Sequence, residues 1–161
     1  MSPIPDIGCH PARVLIVDDE RHNRNLLEVM LTPEGLLLQT AASGEEALAM
    51  VARQPPDLIL LDIMMPGMDG YQVAAHIKGE VATKNIPIIM VTALDDRDAR
   101  VRGLSIGAED FLAKPIDRIE LCVRVRNLLR LKAAAPAAAE LGRSAINLQP
   151  QFRVSAGGVI A

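Results

Sequence analysis

Short apolar runs alternate along this chain with longer stretches in which apolar residues recur every three or four positions. RVLIV (13–17), LLLQTA (36–41), DLILLD (57–62), IPIIMVT (86–92) and EDFLA (109–113) are the short runs. Each is too short to cross a membrane and suits a strand buried in a sheet. Between them, 21–31 puts Leu26, Leu27, Met30 and Leu31 on one side of a helix that closes at Pro33 to Gly35. Ser43 with Glu46 three residues on is a capping box for a helix to Arg53, which Pro55-Pro56 ends. Further helices are predicted over 69–78, over 95–106 up to Gly107, and over 116–132. Strands alternating with helices in this way predict a parallel sheet covered on both faces, because parallel neighbours need right-handed crossovers.

Composition narrows the picture. The chain has 161 residues, half of them hydrophobic, with one Tyr, two Phe and no Trp, so its core must be aliphatic. One domain plus a tail fits that length. A formal net charge of −3, with acids and bases interspersed, leaves no basic footprint for nucleic acid and no aromatic platform for stacked bases. MSPIPDIGCHPAR lacks the apolar region of a signal peptide, and no run approaches about 18 apolar residues, so a cytoplasmic protein without a membrane segment is expected. Cys9 and Cys122 lack metal-ligand spacing and read as reduced thiols; His10, His22 and His76 read as solvated side chains.

The candidate chemistry lies where strands end. Asp62 closes the central strand and is followed by MMPGMDG, while the first strand runs into Asp18, Asp19 and Glu20. Open α/β sheets bind ligands outside the carboxyl ends of their strands. Two carboxylates about 4 Å apart repel by roughly 4 kcal/mol at an effective dielectric of about 20, so a cation belongs between them. Mg2+ suits an all-oxygen set with waters, whereas the alternating acids of a calcium loop are missing. Thr92 ends the fourth strand and Lys114 follows the fifth, adding a hydroxyl and an ammonium that could hold a phosphoryl group. No GxGxxG or Walker sequence follows any strand. Taken singly, Asp18 or Asp19 reads as a helix cap, Lys114 as a surface lysine and Thr92 as a β-branched strand residue; the ordered set outweighs those readings.

That set, Asp18-Asp19, Asp62 with MMPGMDG, Thr92-Ala93 and Lys114-Pro115, resembles the receiver domain of two-component response regulators over residues 13–132. The resemblance implies a flavodoxin-like (βα)5 doubly wound sheet of strand order 2-1-3-4-5. It implies that Asp62 accepts a phosphoryl group from a histidine kinase or phosphotransfer protein. Asp19 and Asp62 would hold Mg2+ directly, Asp18 through water and Met64 through its backbone carbonyl. Thr92, Ala93 and Lys114 would meet the phosphoryl oxygens, Lys114-Pro115 would be a cis peptide, and Phe111 would turn inward as Thr92 moves. Met64 and Leu94, two residues beyond Asp62 and Thr92, are apolar and predict slow loss of the phosphoryl group. By the same resemblance Arg100, Asp110, Glu120 and Arg124 would form a homodimer face, with Arg100–Glu120 and Asp110–Arg124 paired across subunits. The plain alternative is an Arg124–Glu120 pair along one helix. Residues 1–12 read as a flexible lead, and 133–161, AAAPAAA and beyond, as a flexible tail or a partner or dimer arm. Two further functions are weighed. LLDIMMPGMDG and TALDDR are similar to receivers fused to diguanylate cyclases, a resemblance that would make the chain a fragment of such a regulator. A Mg2+-dependent phosphohydrolase would need a second acid at Met64. The main expectation is a phospho-switch without enzymatic turnover, which signals to a downstream protein and does not touch nucleic acid.

Overall fold

The computed structural model describes residues 10–93 and 97–133. In chain order it forms β1 (Arg13–Val17), α1 (Arg21–Leu31), β2 (Leu37–Ala41), α2 (Gly44–Arg53), β3 (Leu58–Asp62), α3 (Gly70–Gly79), β4 (Ile88–Thr92), α4 (Arg97–Ile106) and β5 (Asp110–Ala113). A last helix, α5, is described over 118–133. The strands are all parallel, in the order β2-β1-β3-β4-β5. This is the flavodoxin-like arrangement the sequence implied.

Alternate residues of each strand build two cores. Val14, Ile16, Leu58 and Leu60 face Leu27 and Leu31 of α1 and Leu121, Val125 and Leu129 of α5. Leu15, Val17, Ile59 and Leu61 face the other way, onto α2, α3 and α4. Burial on both faces explains why the strands read as continuous apolar runs. Cys122 is buried under the first layer, and burial, with Glu34 beside it, pushes its thiol up to about 11. It is inert at neutral pH. His22 and His76 are exposed, as is His10.

Several element ends differ from the sequence reading by one or two residues, for chemical reasons. Pro87 has no N–H to give, so β4 starts at Ile88, whose own N–H is taken by the Glu109 carboxylate at 2.6 Å. The same side chain pairs with Lys78, and β5 starts one residue later than Glu109. Asp117 accepts from the Glu120 N–H at 3.0 Å and so caps α5, which begins at 118 rather than Ile116. Leu26, expected among the buried residues of α1, is 43% exposed at the rim of a groove with Asn23, Pro115 and Ile116. Ser43 caps α2 as expected, accepting from the Glu46 N–H at 3.1 Å while Glu46 returns a bond to the Ala42 N–H. Cys9, Leu94, the start of the helix at 95–96 and the tail beyond 133 lie outside the described residues.

Candidate functional site

Strand register brings the acids together. Val17 lies opposite Leu61, so the next residue, Asp18, emerges beside Asp62. One carboxylate oxygen each from Asp18, Asp19 and Asp62 lies within 4.8 Å of the others. Asp18 and Asp62 are buried and Asp19 is exposed. None of the three caps α1, whose N-cap residue is Glu20 without a side-chain capping bond to the helix backbone. Asp18 is instead fixed within its loop: its Oδ1 accepts from the Glu20 N–H at 2.9 Å, and its carbonyl accepts from Arg24 Nη1 at 2.8 Å.

Lys114 enters from β5's end. Its Nζ stands 3.5 Å from Asp62 Oδ1 and 3.6 Å from Asp18 Oδ2. The peptide joining it to Pro115 is cis, and its N–H donates to the Thr92 carbonyl at 2.7 Å. Thr92 is buried and Ala93 exposed at the end of β4. Burial, then the Asp18 charge, push the Asp62 carboxyl up from 3.8 to about 6, against the pull of Lys114 and of the Met64 N–H. One ammonium is too little for three carboxylates. The donors are hard oxygens, they converge, and the cluster keeps one open side at Asp19: a divalent cation such as Mg2+ fits this set.

The loop after β3 holds the site's shape. Asp69 caps α3 with a full capping box, accepting from Gln72 N–H at 2.9 Å while Gln72 Oε1 accepts from Asp69 N–H at 3.0 Å. Gly70 follows, and a Cβ there would lie 2.4 Å from the Asp62 carbonyl oxygen and 2.7 Å from Ile63 Cα. Its N–H donates to the Ile63 carbonyl at 2.9 Å. Sequence reasoning passed over Gly70, although a glycine opening a helix is itself a signal of close backbone approach. It also missed Arg24. The Met64 side chain projects from this loop with 72% of its surface exposed, whereas Met65 is buried.

Phe111 is already buried, at 8% exposed, with its ring beneath Gly103 of α4. The inward turn expected on phosphorylation therefore starts from a ring that lies inside. On the candidate dimer face, Arg124 is engaged within its own chain. Its Nη1 reaches the Asp110 oxygens at 2.7 and 2.8 Å, and its Nε reaches Glu120 at 3.1 Å. The plain helical pairing thus holds, extended by Asp110. Arg100 is exposed on α4.

A five-stranded parallel sheet whose strand ends gather three acids, a hydroxyl and an ammonium defines a phosphoryl-handling α/β switch domain in outline. Comparison makes the class specific. Residues 14–126 match the response regulator receiver domain. "Response regulator PleD" of Caulobacter vibrioides is 53% identical over 121 residues, which cover 75% of this chain and 27% of that protein. "Probable transcriptional regulator ycf27" of Guillardia theta is 43% identical over 134 residues, 83% of this chain and 52% of that one. A solved signal receiver domain of a signal transduction histidine kinase from Syntrophus aciditrophicus superposes with a TM-score of 0.69 at 35% identity, covering 74% of this chain and 90% of that one. The chain belongs to the response regulator receiver family of two-component signalling. It spans between about a quarter and a half of the curated relatives just named. Among the described residues no helix is long and apolar enough to cross a membrane.

Proposed function

We propose that Asp62 is the phosphoacceptor of this receiver domain, charged by a phosphohistidine of a sensor kinase or phosphotransfer protein. The observation that carries this reading is the buried Asp62 carboxylate, 3.5 Å from Lys114 and clustered with Asp18 and Asp19 at the strand ends. An Asp62 oxygen attacks phosphorus, the P–N bond breaks as the P–O bond forms, and the departing imidazole keeps its electron pair and takes a proton. Asp18, Asp19, Asp62 and the Met64 carbonyl would hold Mg2+, which supplies neutralisation of the phosphoryl oxygens. Lys114 offers an ammonium to one phosphoryl oxygen, and Thr92 a hydroxyl to another, with the Ala93 N–H beside it. The acyl phosphate carries more negative charge than the carboxylate it replaces, so beside Asp18 and Asp19 it depends on the cation and on Lys114. The domain acts in the cytoplasm as a phosphoacceptor without enzymatic turnover, and its output passes through protein surfaces. One such surface is the face of Arg100, Asp110, Glu120 and Arg124, used between two copies of the chain.

Mass spectrometry after incubation with acetyl phosphate and Mg2+ tests this reading. A single phosphoryl group on Asp62 is expected, absent from Asp62→Asn and lost in excess EDTA. Labelling that persists in either case would refute it.

A second reading has support in the coverage of the relatives. The chain spans 27% of PleD and 52% of the ycf27 regulator, and on this reading it is the receiver portion of a longer regulator such as a diguanylate cyclase. The two readings share the phosphoacceptor and differ in what receives the signal.

A further inference from the structure

Helix α4 is mounted on the sheet in an unusual way. The other helices that face its side of the sheet send down branched or aromatic side chains, Val51 from α2 and Tyr71, Val73 and Ile77 from α3. The buried residues of α4 are only Ala99 and Gly103. Of its larger apolar side chains, Val101 and Leu104 point outward, 54% and 57% exposed, and only Ile106 at its last position packs partly buried against the core. A glycine within a helix also weakens it relative to alanine. Ahead of Ile106, little in α4's own sequence therefore anchors it.

Two contacts supply what the helix lacks. From below, the Phe111 ring fills the space under Gly103, so closely that a Cβ there would lie 2.5 Å from the ring's Cζ and 2.7 Å from its Cε1. From the side, the Arg102 guanidinium lies over the Tyr71 ring, 4.1 Å from its centroid. Such stacking is favourable electrostatically and covers the ring face. Tyr71 is the residue after Gly70, in the first turn of α3, and Gly70 is seated on the Asp62 backbone. Arg102 and Tyr71 share a groove with Met64, Met65, Pro66 and Asp69 of the loop that follows Asp62. A side chain of α4 that touches this loop's anchor is thus an arginine on its exposed surface.

We propose that Arg102 is a positioning residue: its clasp on Tyr71 straps α4 to α3 and couples α4 to the loop that follows Asp62. The strap works beside the Phe111 seat and gives α4 a second, polar attachment that can slide without opening the core. Because a planar guanidinium stacks and an ammonium does not, lysine is a partial substitute. The coupling half of this proposal rests on Asp62 being the phosphoacceptor; the strap itself does not.

The chain's single Tyr and absence of Trp make the test direct, since its tyrosine emission comes from Tyr71 alone. In the first measurement, hydrogen exchange of the 97–106 segment is compared without phosphodonor. Arg102→Ala is expected to exchange at least fivefold faster there, Arg102→Lys to fall between, and α5 to be unchanged. Equal exchange in all three proteins would overturn the strap. In the second, acetyl phosphate and Mg2+ are added and Tyr71 emission is followed, with Asp62 labelling measured by mass in the same samples. The emission change of Arg102→Ala is expected to be at least threefold smaller than that of the unaltered protein, at labelling equal within twofold. An undiminished change would overturn the coupling. Absence of label on Asp62 in both proteins would refute the phosphoacceptor reading and with it the coupling, while the exchange measurement still decides the strap.

Discussion

Asp62 shows how one side chain trades stability for chemistry. Burial and the neighbouring Asp18 raise its pKa from 3.8 to about 6, so the folded chain binds its proton more tightly than the unfolded chain does. The sign follows: without metal, stability falls as pH rises from about 4 through about 6, and the full cost is present above that window. Asp62→Asn removes the charge and keeps the shape. In chelator it is expected to be about 2 kcal/mol more stable at neutral pH and no more stable below about pH 4; denaturant titrations at both values check this, and equal neutral-pH midpoints would refute it. Met64 carries a second prediction. Its thioether, two residues beyond Asp62, is exposed and is too poor a hydrogen-bond partner to hold a water in line. Met64→Asn should shorten the phosphorylated lifetime by about fivefold, by positioning that water; an unchanged decay rate would count against the shielding account. The acids, Thr92 and Lys114 were legible in the sequence because strands announce themselves by apolar runs and the residue after each run is then placed. That Asp18 is the buried partner and Asp19 the exposed one was not legible, because it depends on how the loop to Glu20 turns.

At the scale of elements, the sheet was readable in full and its ends were not. A run of apolar residues fixes a strand's middle, but its first hydrogen bond depends on neighbours distant in sequence, as Glu109 does for Ile88. The inward place of Phe111 was hidden for the same reason, since it needs a glycine on α4 at the point of crossing. Gly70 is the clearest case of an element positioned by a missing side chain. Helix α3 starts against the backbone of Asp62 and Ile63, and any Cβ there meets main-chain atoms that have no rotamer to yield. Gly70→Ala is therefore expected to cost about 2 to 4 kcal/mol, well beyond an ordinary surface change. It should also slow labelling of Asp62 by displacing the loop. A loss below about 1 kcal/mol in urea titration would mean that α3 can move away from β3 freely, contrary to the packing described.

At the scale of the whole molecule, the question is whether the charges on the α4, β5 and α5 face are used within one chain or between two. Arg124 already has Asp110 and Glu120 as partners inside the chain, and the Asp110 Oδ1 also accepts from the Phe111 N–H at 2.8 Å. A dimer that pairs Asp110 with Arg124 across a two-fold axis must exchange an internal contact for an external one, so its net electrostatic gain is small and sensitive to salt. The apolar surface beside the charges, Val101 and Leu104 on α4 with Ile119 and Val123 on α5, would have to supply the rest. Restoring charge in a double variant cannot distinguish the two uses, because it rebuilds both. Mixing does. Asp110→Arg and Arg124→Asp each break the internal pair and set like charges against each other in a homodimer. Combined in one tube they form a heterodimer in which both cross-subunit contacts are opposite in sign, while both internal pairs stay broken. After phosphorylation, sedimentation is expected to show each variant alone largely monomeric and the equimolar mixture dimeric, with the dimer fraction falling as salt rises. A mixture as monomeric as its components would assign Asp110 and Arg124 to the internal clasp alone and move any dimer contact to another face.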